Sequence, residues 1–214
     1  MSKKFTRDDV DKFVDNDIYL PTRTIYIGTV STDSNGDSAG VDYAMAERAV
    51  KNLHILDSLA PSGDQPIKII LNTEGGDWIH GMAIYDAIKK CNNHVTIIVS
   101  GQAMSMGSVI LQAADERLMD ENSKFMIHHG QNGVNDNVHN VYRWIEDSKK
   151  GDAKMEEIFL EKILQVHPDF KQKKLQDLLK FDTILTAAET VKMGLADGVV
   201  VGYNKILRRE QIGD

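Results

Sequence analysis

His94-Val95-Thr96-Ile97-Ile98-Val99-Ser100-Gly101-Gln102-Ala103-Met104-Ser105-Met106-Gly107-Ser108 is the stretch whose reading decides the fold. The β-branched run from Val95 to Val99 has no polar alternation, which predicts a strand buried on both faces rather than one facing water. Gly101 then leads into small residues that predict a helix from about Ser105 to Ala114. A buried strand feeding a helix is half of a βα unit, and the same alternation extends in both directions. Upstream, residues 67–71 form a short apolar run, Glu74-Gly75-Gly76 a turn, and residues 78–90 a helix with Ala83, Ile84, Ala87 and Ile88 on one face. Before them, residues 23–30 are β-rich and residues 31–40 form a Ser/Asp/Asn/Gly loop on the surface. From Asp42, Ala44, Ala46, Val50, Leu53, Leu56 and Leu59 recur near helical spacing until Pro61-Ser62-Gly63. Downstream, residues 124–128 read as another strand. Strands alternating with helices predict an α/β fold with a mainly parallel, buried sheet, and active residues tend to emerge at the carboxyl ends of such strands.

The flanking segments are less regular. Residues 1–22 are polar and read as an appendage, with Thr6 the N-cap of a short helix over 7–14 and Asp8 and Asp9 in its first turn. Residues 137–166 are helical in pattern, with apolar patches on either side of the polar stretch 146–154, where Gly151 is expected to bend or break the helix. Further helices are expected over 171–179 and 187–193, the latter closed by Gly194, followed by a last strand within 198–202 and a tail at 204–214.

The 214 residues suffice for one well-buried domain. A net charge of -7 repels nucleic acid and anionic lipid, which excludes them as primary partners. Cys91 is the single cysteine, so it forms no internal disulfide, and its flanks, Lys89, Lys90, Asn92 and Asn93, include no histidine to activate it. The first residues contain no apolar run of signal-peptide length, and no stretch approaches the roughly 20 apolar residues of a membrane span, so the expected location is the cytoplasm.

Ser105 stands at a strand-to-helix junction, where backbone N–H groups and the positive helix end point at whatever the serine meets. Taken alone, such a serine is more often an N-cap or packing residue than a nucleophile. The turn Asn72-Thr73-Glu74-Gly75-Gly76 also follows a strand and offers unobstructed backbone N–H groups, or is merely a tight turn. Together the two turns suggest oxyanion binding without naming the reaction, since crotonase-like acyl-CoA enzymes hold an enolate in the same way.

Four segments then carry a resemblance. Gly75-Gly76-Asp77-Trp78-Ile79-His80-Gly81-Met82-Ala83-Ile84-Tyr85-Asp86, the run 101–107, Met126-Ile127-His128, and Phe181-Asp182-Thr183-Ile184-Leu185-Thr186-Ala187-Ala188-Glu189 with the following Met193-Gly194-Leu195-Ala196-Asp197 are similar, in order, to signatures of the Clp protease proteolytic-subunit (ClpP) family. The resemblance implies a ClpP/crotonase-like fold of repeated β-β-α units. Its peptidase domain would cover 23–203, with a protruding handle helix at about 137–166 and residues 1–22 as an appendage or pore segment. It implies a serine endopeptidase with Ser105 as nucleophile, His128 as general base and Asp182 orienting the histidine, the Ser, His, Asp chain order setting it apart from other triad enzymes. It also implies the N–H groups of Gly76 and Met106 as oxyanion donors, and Gly75, Trp78 and Gln131 as substrate-binding positions. Self-assembly into stacked rings, as stacked heptamers, and an AAA+ unfoldase follow from the same resemblance. ATP would be used by that unfoldase, with no cofactor or metal in the peptidase subunit itself.

His129 adjoins His128, but neighbouring strand residues face opposite sides, so one of the two serves the site. Ser108, one turn after Ser105, reads as a packing or capping hydroxyl. His54, His80, His94, His139 and His167 show no spacing with carboxylates that would make a zinc site. The chain departs from the family in three places. Thr73-Glu74 stands where Ser-Pro is usual, His129-Gly130 follows the histidine where Gln-Pro is usual, and Phe181 occupies a common arginine position. Two other readings share the fold: a dedicated capsid-maturation peptidase, and a catalytically silent assembly subunit, which would have no need of Ser105, His128 and Asp182 together.

Overall fold

The computed structural model describes residues 6–28, 40–130, 133, 135–202 and 205–213. In chain order the elements are α1 (Arg7–Asn16), β1 (Ile18–Tyr19), β2 (Thr24–Gly28), α2 (Tyr43–Ser58), β3 (Ile67–Thr73), α3 (Trp78–Lys89), β4 (Val95–Met104), α4 (Met106–Leu111), β5 (Glu116–Asp120), β6 (Lys124–Ile127), α5 (Val138–Val166), α6 (Gln172–Leu179), β7 (Thr183–Thr186), α7 (Ala187–Met193), β8 (Gly198–Gly202) and β9 (Lys205–Arg208). Local chemistry marks the helix starts. Thr6 and Asp9 form a reciprocal capping box on α1, Asp42 accepts the Met45 N–H on α2, and Asp77 accepts the His80 N–H on α3. Thr186 and Glu189 repeat the capping box on α7, which Gly194 ends at φ 87°. The surface loop expected over 31–40 falls, except for its last residue, outside the described residues.

The sheet runs β1-β2-β3-β4-β5-β8-β9, with β6 pairing β4 and β7. The β2-β3, β3-β4, β4-β5, β4-β6 and β5-β8 pairs are parallel, while β1-β2, β6-β7 and β8-β9 are antiparallel. This is the α/β architecture with a mainly parallel sheet that the sequence leads one to expect.

The decisive strand is longer than its apolar run. Residues 96–99 of β4 pair with β5, and residues 102–104 pair instead with β6. Between the two halves the register against β3 shifts, from Leu71 opposite Val99 to Thr73 opposite Ala103. Gly101 takes φ 102° at this irregularity, and the Asn72 side-chain carbonyl accepts the Gln102 N–H at 3.2 Å. The strand therefore continues four residues past Ser100, and the helix that follows begins at Met106 and ends at Leu111, shorter than the expected run to Ala114.

β5 went unread in the sequence because Glu116, Arg117 and Asp120 give it a loop-like charge. Arg117 is nonetheless buried, with its guanidinium held by Asp197, by the Gln112 side-chain oxygen at 2.8 Å and by the Gly194 carbonyl at 3.1 Å. A guanidinium with its donors placed is tolerated in a core where an unpaired one is not. β9, within the stretch read as a tail, pairs with β8 and is tied to the sheet by Arg208 donating to Glu116 at 2.6 Å.

Helix α5 runs unbroken for 29 residues, correcting the expectation that Gly151 breaks it. Gly151 lies beside the Trp78 indole, where a Cβ would sit 3.5 Å from the nearest ring atoms, an ordinary van der Waals contact. Beyond it Met155, Ile158, Phe159 and Ile163 are buried, whereas Val138, Tyr142, Trp144 and Ile145 in the first half are exposed. Tertiary packing of the second half carries the helix through the glycine. Gly151→Ala is expected to stabilise the fold by about 0.5–1 kcal/mol through helix propensity. Urea unfolding would show this as a raised midpoint at unchanged slope, and a lowered midpoint would mean that the indole does not tolerate the methyl.

Candidate active site

β4 ends against Ser105, the N-cap residue of α4, whose backbone lies at φ 50° and ψ -119°. A non-glycine residue is held there at a cost of order 1–3 kcal/mol, so the surroundings must over-determine it. They do so from both sides. The Ser105 N–H donates to the Met126 carbonyl at 2.9 Å, and the Ser105 carbonyl accepts from the Ser108 N–H at 3.0 Å and from the Ser108 hydroxyl. Ser108 is thus the local hydrogen-bonding group its spacing suggests.

The partners of Ser105 come from the antiparallel β6-β7 pair. Ile127 lies opposite Thr183, so the next residues outward, His128 and Asp182, meet side by side. His128 Nε2 is 2.8 Å from Ser105 Oγ, and His128 Nδ1 is 2.9 Å from Asp182 Oδ1. With Nδ1–H donating to the carboxylate, Nε2 is left to accept the serine proton. The imidazole is mostly buried, whereas the Asp182 side chain is 67% exposed. Phe181 beside it is also exposed.

The glycine turn after β3 closes the third side. Gly75 and Gly76 adopt φ 101° and 147°, values that strain any other residue. Val41 donates to the Gly75 carbonyl at 2.6 Å and accepts from the Asp77 N–H at 2.8 Å, so by the parallel-bridge pattern the N–H of Gly76 faces away from Val41. A Cβ on Gly75 would fall 2.6 Å from Ser105 Cβ and 2.9 Å from the Met106 nitrogen, which places the turn directly against the serine. Met106 is the first residue of α4, and its N–H has no partner within the helix. The structure therefore brings Gly75, Gly76 and Met106 together around Ser105. Trp78 stands at the start of α3, half-buried against the core and beside Gly151. Gln131 lies outside the described residues.

His129, in the extension just past β6, faces away from Ser105, with Nε2 3.2 Å from Glu156 Oε1 on α5. Glu156 also accepts from Gln172 at 3.1 Å and Gln176 at 2.9 Å, both on α6. Burial pushes its carboxyl upward, but the donors Gln176, Gln172 and His129 outweigh burial and hold it below the usual carboxylate range. This cluster was missed in the sequence, where its one signal was a carboxylate at a core-facing helical position among Met155, Ile158 and Phe159. The other histidines stand apart: His80 packs edge-on against Tyr43 and His167 meets the Lys192 carbonyl. Among the described residues no group of three or more His, Cys, Asp and Glu is placed to hold a metal ion. Burial, reinforced by Asp57 and Asp115, pushes the Cys91 thiol up to about 11, leaving it protonated and unreactive at neutral pH.

Comparison with known proteins matches residues 38–202 to the family described as Clp protease. The chain belongs to the Clp protease family. It is similar to the ATP-dependent Clp protease proteolytic subunit of Deinococcus radiodurans, at 34% identity over 189 residues covering 86% of this chain and 84% of that protein. It is similar also to ATP-dependent Clp protease proteolytic subunit 2 of Pseudomonas aeruginosa, at 30% identity over 79% of this chain and 81% of that one. As a Clp protease family member the chain is a serine endopeptidase. Among its described residues, no helix is long and apolar enough to cross a membrane.

Two outcomes are expected from this geometry. Gly75→Ala forces a methyl among Ser105 Cβ, the Met104 carbonyl and the Met106 amide, and should lower kcat/KM toward a fluorogenic peptide by about 100-fold or more. Near-wild-type turnover would mean that the turn yields without disturbing Ser105. The lowered pKa of Glu156 stabilises the fold fully above the ordinary carboxylate pKa, and that contribution disappears as pH falls through the lowered value. Glu156→Gln should accordingly flatten the acid side of a stability-against-pH curve, and an unchanged slope would contradict the assignment.

Proposed function

We propose that the chain cleaves unfolded polypeptides by an acyl-enzyme mechanism in which Ser105 is the nucleophile, His128 the general base and Asp182 the group that orients it. The observation that carries this reading is the unbroken hydrogen-bonded line from Ser105 Oγ through His128 to Asp182 Oδ1. His128 Nε2 takes the hydroxyl proton as Ser105 Oγ bonds to the scissile carbonyl carbon, and Asp182 stabilises the resulting imidazolium. The imidazolium then gives its proton to the departing amine as the C–N bond breaks. Water, deprotonated by the same nitrogen, releases the acyl group and restores the serine. The N–H groups of Gly76 and Met106 hold the oxyanion, a role in which one donor is typically worth about 3 kcal/mol. Gly75, Trp78 and Gln131 belong to the substrate-binding side of this reading.

The chain works as a cytoplasmic, self-compartmentalised assembly of stacked rings, supplied with substrate by an AAA+ unfoldase that consumes the ATP; the subunit itself uses no cofactor. Supporting assembly, the first half of α5 carries Val138, Tyr142, Trp144 and Ile145 into solvent, apolar surface of the kind that association with another subunit would bury. Supporting the partner, the relatives named above are called ATP-dependent.

Labelling of the purified full chain with a fluorophosphonate probe, read by mass spectrometry, tests the reading. Ser105 should be modified in the wild type, with the adduct lost in Ser105→Ala and its rate cut by at least about 1,000-fold in His128→Ala. Peptide cleavage that survives Ser105→Ala would overturn the assignment.

A further inference from the structure

Asp182 is held in line by little in its immediate surroundings. Its carboxylate is 67% exposed, and among the described residues its one side-chain partner is His128 itself. It rides on the connector Lys180-Phe181-Asp182 between the end of α6 at Leu179 and the start of β7 at Thr183, and Lys180 and Phe181 are both exposed. A side chain so placed is located by whatever anchors the two ends of its connector.

One end is anchored by the sheet, through the Ile127-Thr183 pair and through Thr183 Oγ1 donating to the Leu178 carbonyl at 2.7 Å. The other end is anchored by α6, and here the Glu156 cluster acts. Leu175 and Leu179 bury one side of α6, which resists withdrawal but leaves sliding and rotation to be resisted by directional bonds. Gln172 and Gln176 supply two of these by donating to Glu156. The third donor, His129, follows His128 directly, and its backbone N–H also donates to the Leu179 carbonyl at 2.7 Å. The Glu156 carboxylate thus lies between the segment that carries His128 and the helix that delivers Asp182.

We propose that Glu156 and His129 are positioning residues for the reaction: bonded to each other and to α6, they set the distance between His128 and Asp182. The inference rests on the catalytic reading of Ser105, His128 and Asp182. Neither residue reaches the reacting atoms. A carboxylate that served packing alone would need no donor from the residue next to the catalytic histidine. Three donors converging from α6 and from the segment just after β6 on one buried acceptor instead couple the two segments that must stay in register.

The test is steady-state cleavage of a fluorogenic peptide by the full chain, in wild type, Ser105→Ala, Glu156→Gln, His129→Ala and His129→Gln, with far-UV circular dichroism to check folding. Glu156→Gln presents an amide to donors that require an acceptor, and His129→Ala removes the tie from the segment after β6. Each is expected to lower kcat about 10- to 100-fold while KM stays within about twofold, since the loss lies in alignment and not in substrate binding. His129→Gln keeps an N–H that reaches toward Glu156 and is expected to retain about half of the wild-type kcat or more, a rescue that general weakening of the fold would not produce. The Glu156→Gln/His129→Ala double variant should be no slower than the slower single variant, because both remove one interaction. Wild-type kcat in folded Glu156→Gln and His129→Ala overturns the proposal, as does His129→Gln as slow as His129→Ala. Should Glu156→Gln fail to fold, Gln176→Ala removes one donor and keeps the carboxylate. A kcat reduced by about threefold or more supports the proposal, and an unchanged kcat overturns it. Activity retained by Ser105→Ala refutes the catalytic reading itself. An inactive Ser105→Ala beside a fully active Glu156→Gln refutes the positioning role alone.

Discussion

The left-handed backbone at Ser105 is the constraint from which the site follows. A serine at φ 50° persists only where its neighbours leave no alternative, and here the neighbours are the Met126 carbonyl on one side and a glycine without a side chain on the other. The Met126 bond requires β6 to lie along the far half of β4, which in turn requires β4 to exchange partners between Val99 and Gln102. Gly101 and Asn72 absorb that exchange. Because β6 is in place, its continuation delivers His128 to Ser105, and its antiparallel partner β7 delivers Asp182 to His128. One strained residue and one change of strand partner thereby assemble three side chains from distant parts of the chain.

Polar groups buried around this frame act as connectors. Arg117 joins β5 to the segment after α7 through Asp197 and Gly194, and Glu156 joins α5 and α6 to the end of β6. Each is acceptable in a core only because its hydrogen-bonding capacity is met by several partners. Such groups are directional where apolar packing is not, so they fix register between elements that hydrophobic contact would let slide. Both lie next to elements on which the catalytic geometry depends.

Legibility in the sequence followed the physical origin of each feature. The strands at 67–71 and 95–99 were readable because short, mostly β-branched apolar runs have few other uses, and the helix start at Thr6 because capping is local chemistry. Ser105, His128 and Asp182 were readable through ordered motifs that resemble a known family, since no spacing along the chain connects residues so far apart. What escaped had its cause in space. β5 was hidden by charges whose partners lie about 80 residues away, β7 and β9 by lengths of four residues each, and the continuity of α5 by a glycine that a distant indole accommodates.

By itself, then, the sequence determined the alternation of buried strands and amphipathic helices, the helix boundaries set by neighbouring residues, and, through its resemblance to a known family, which serine, histidine and aspartate to look for. Tertiary structure alone decided that β4 serves two partners and that His129, turned away from Ser105, meets Glu156. It alone decided, too, that a glutamate on a core-facing helix position gathers donors from two other elements. The division has one physical reason. Propensity, capping and periodicity act within a few residues and are written in order along the chain, whereas register, close approach and the satisfaction of buried charge are properties of segments that meet only once the chain has folded.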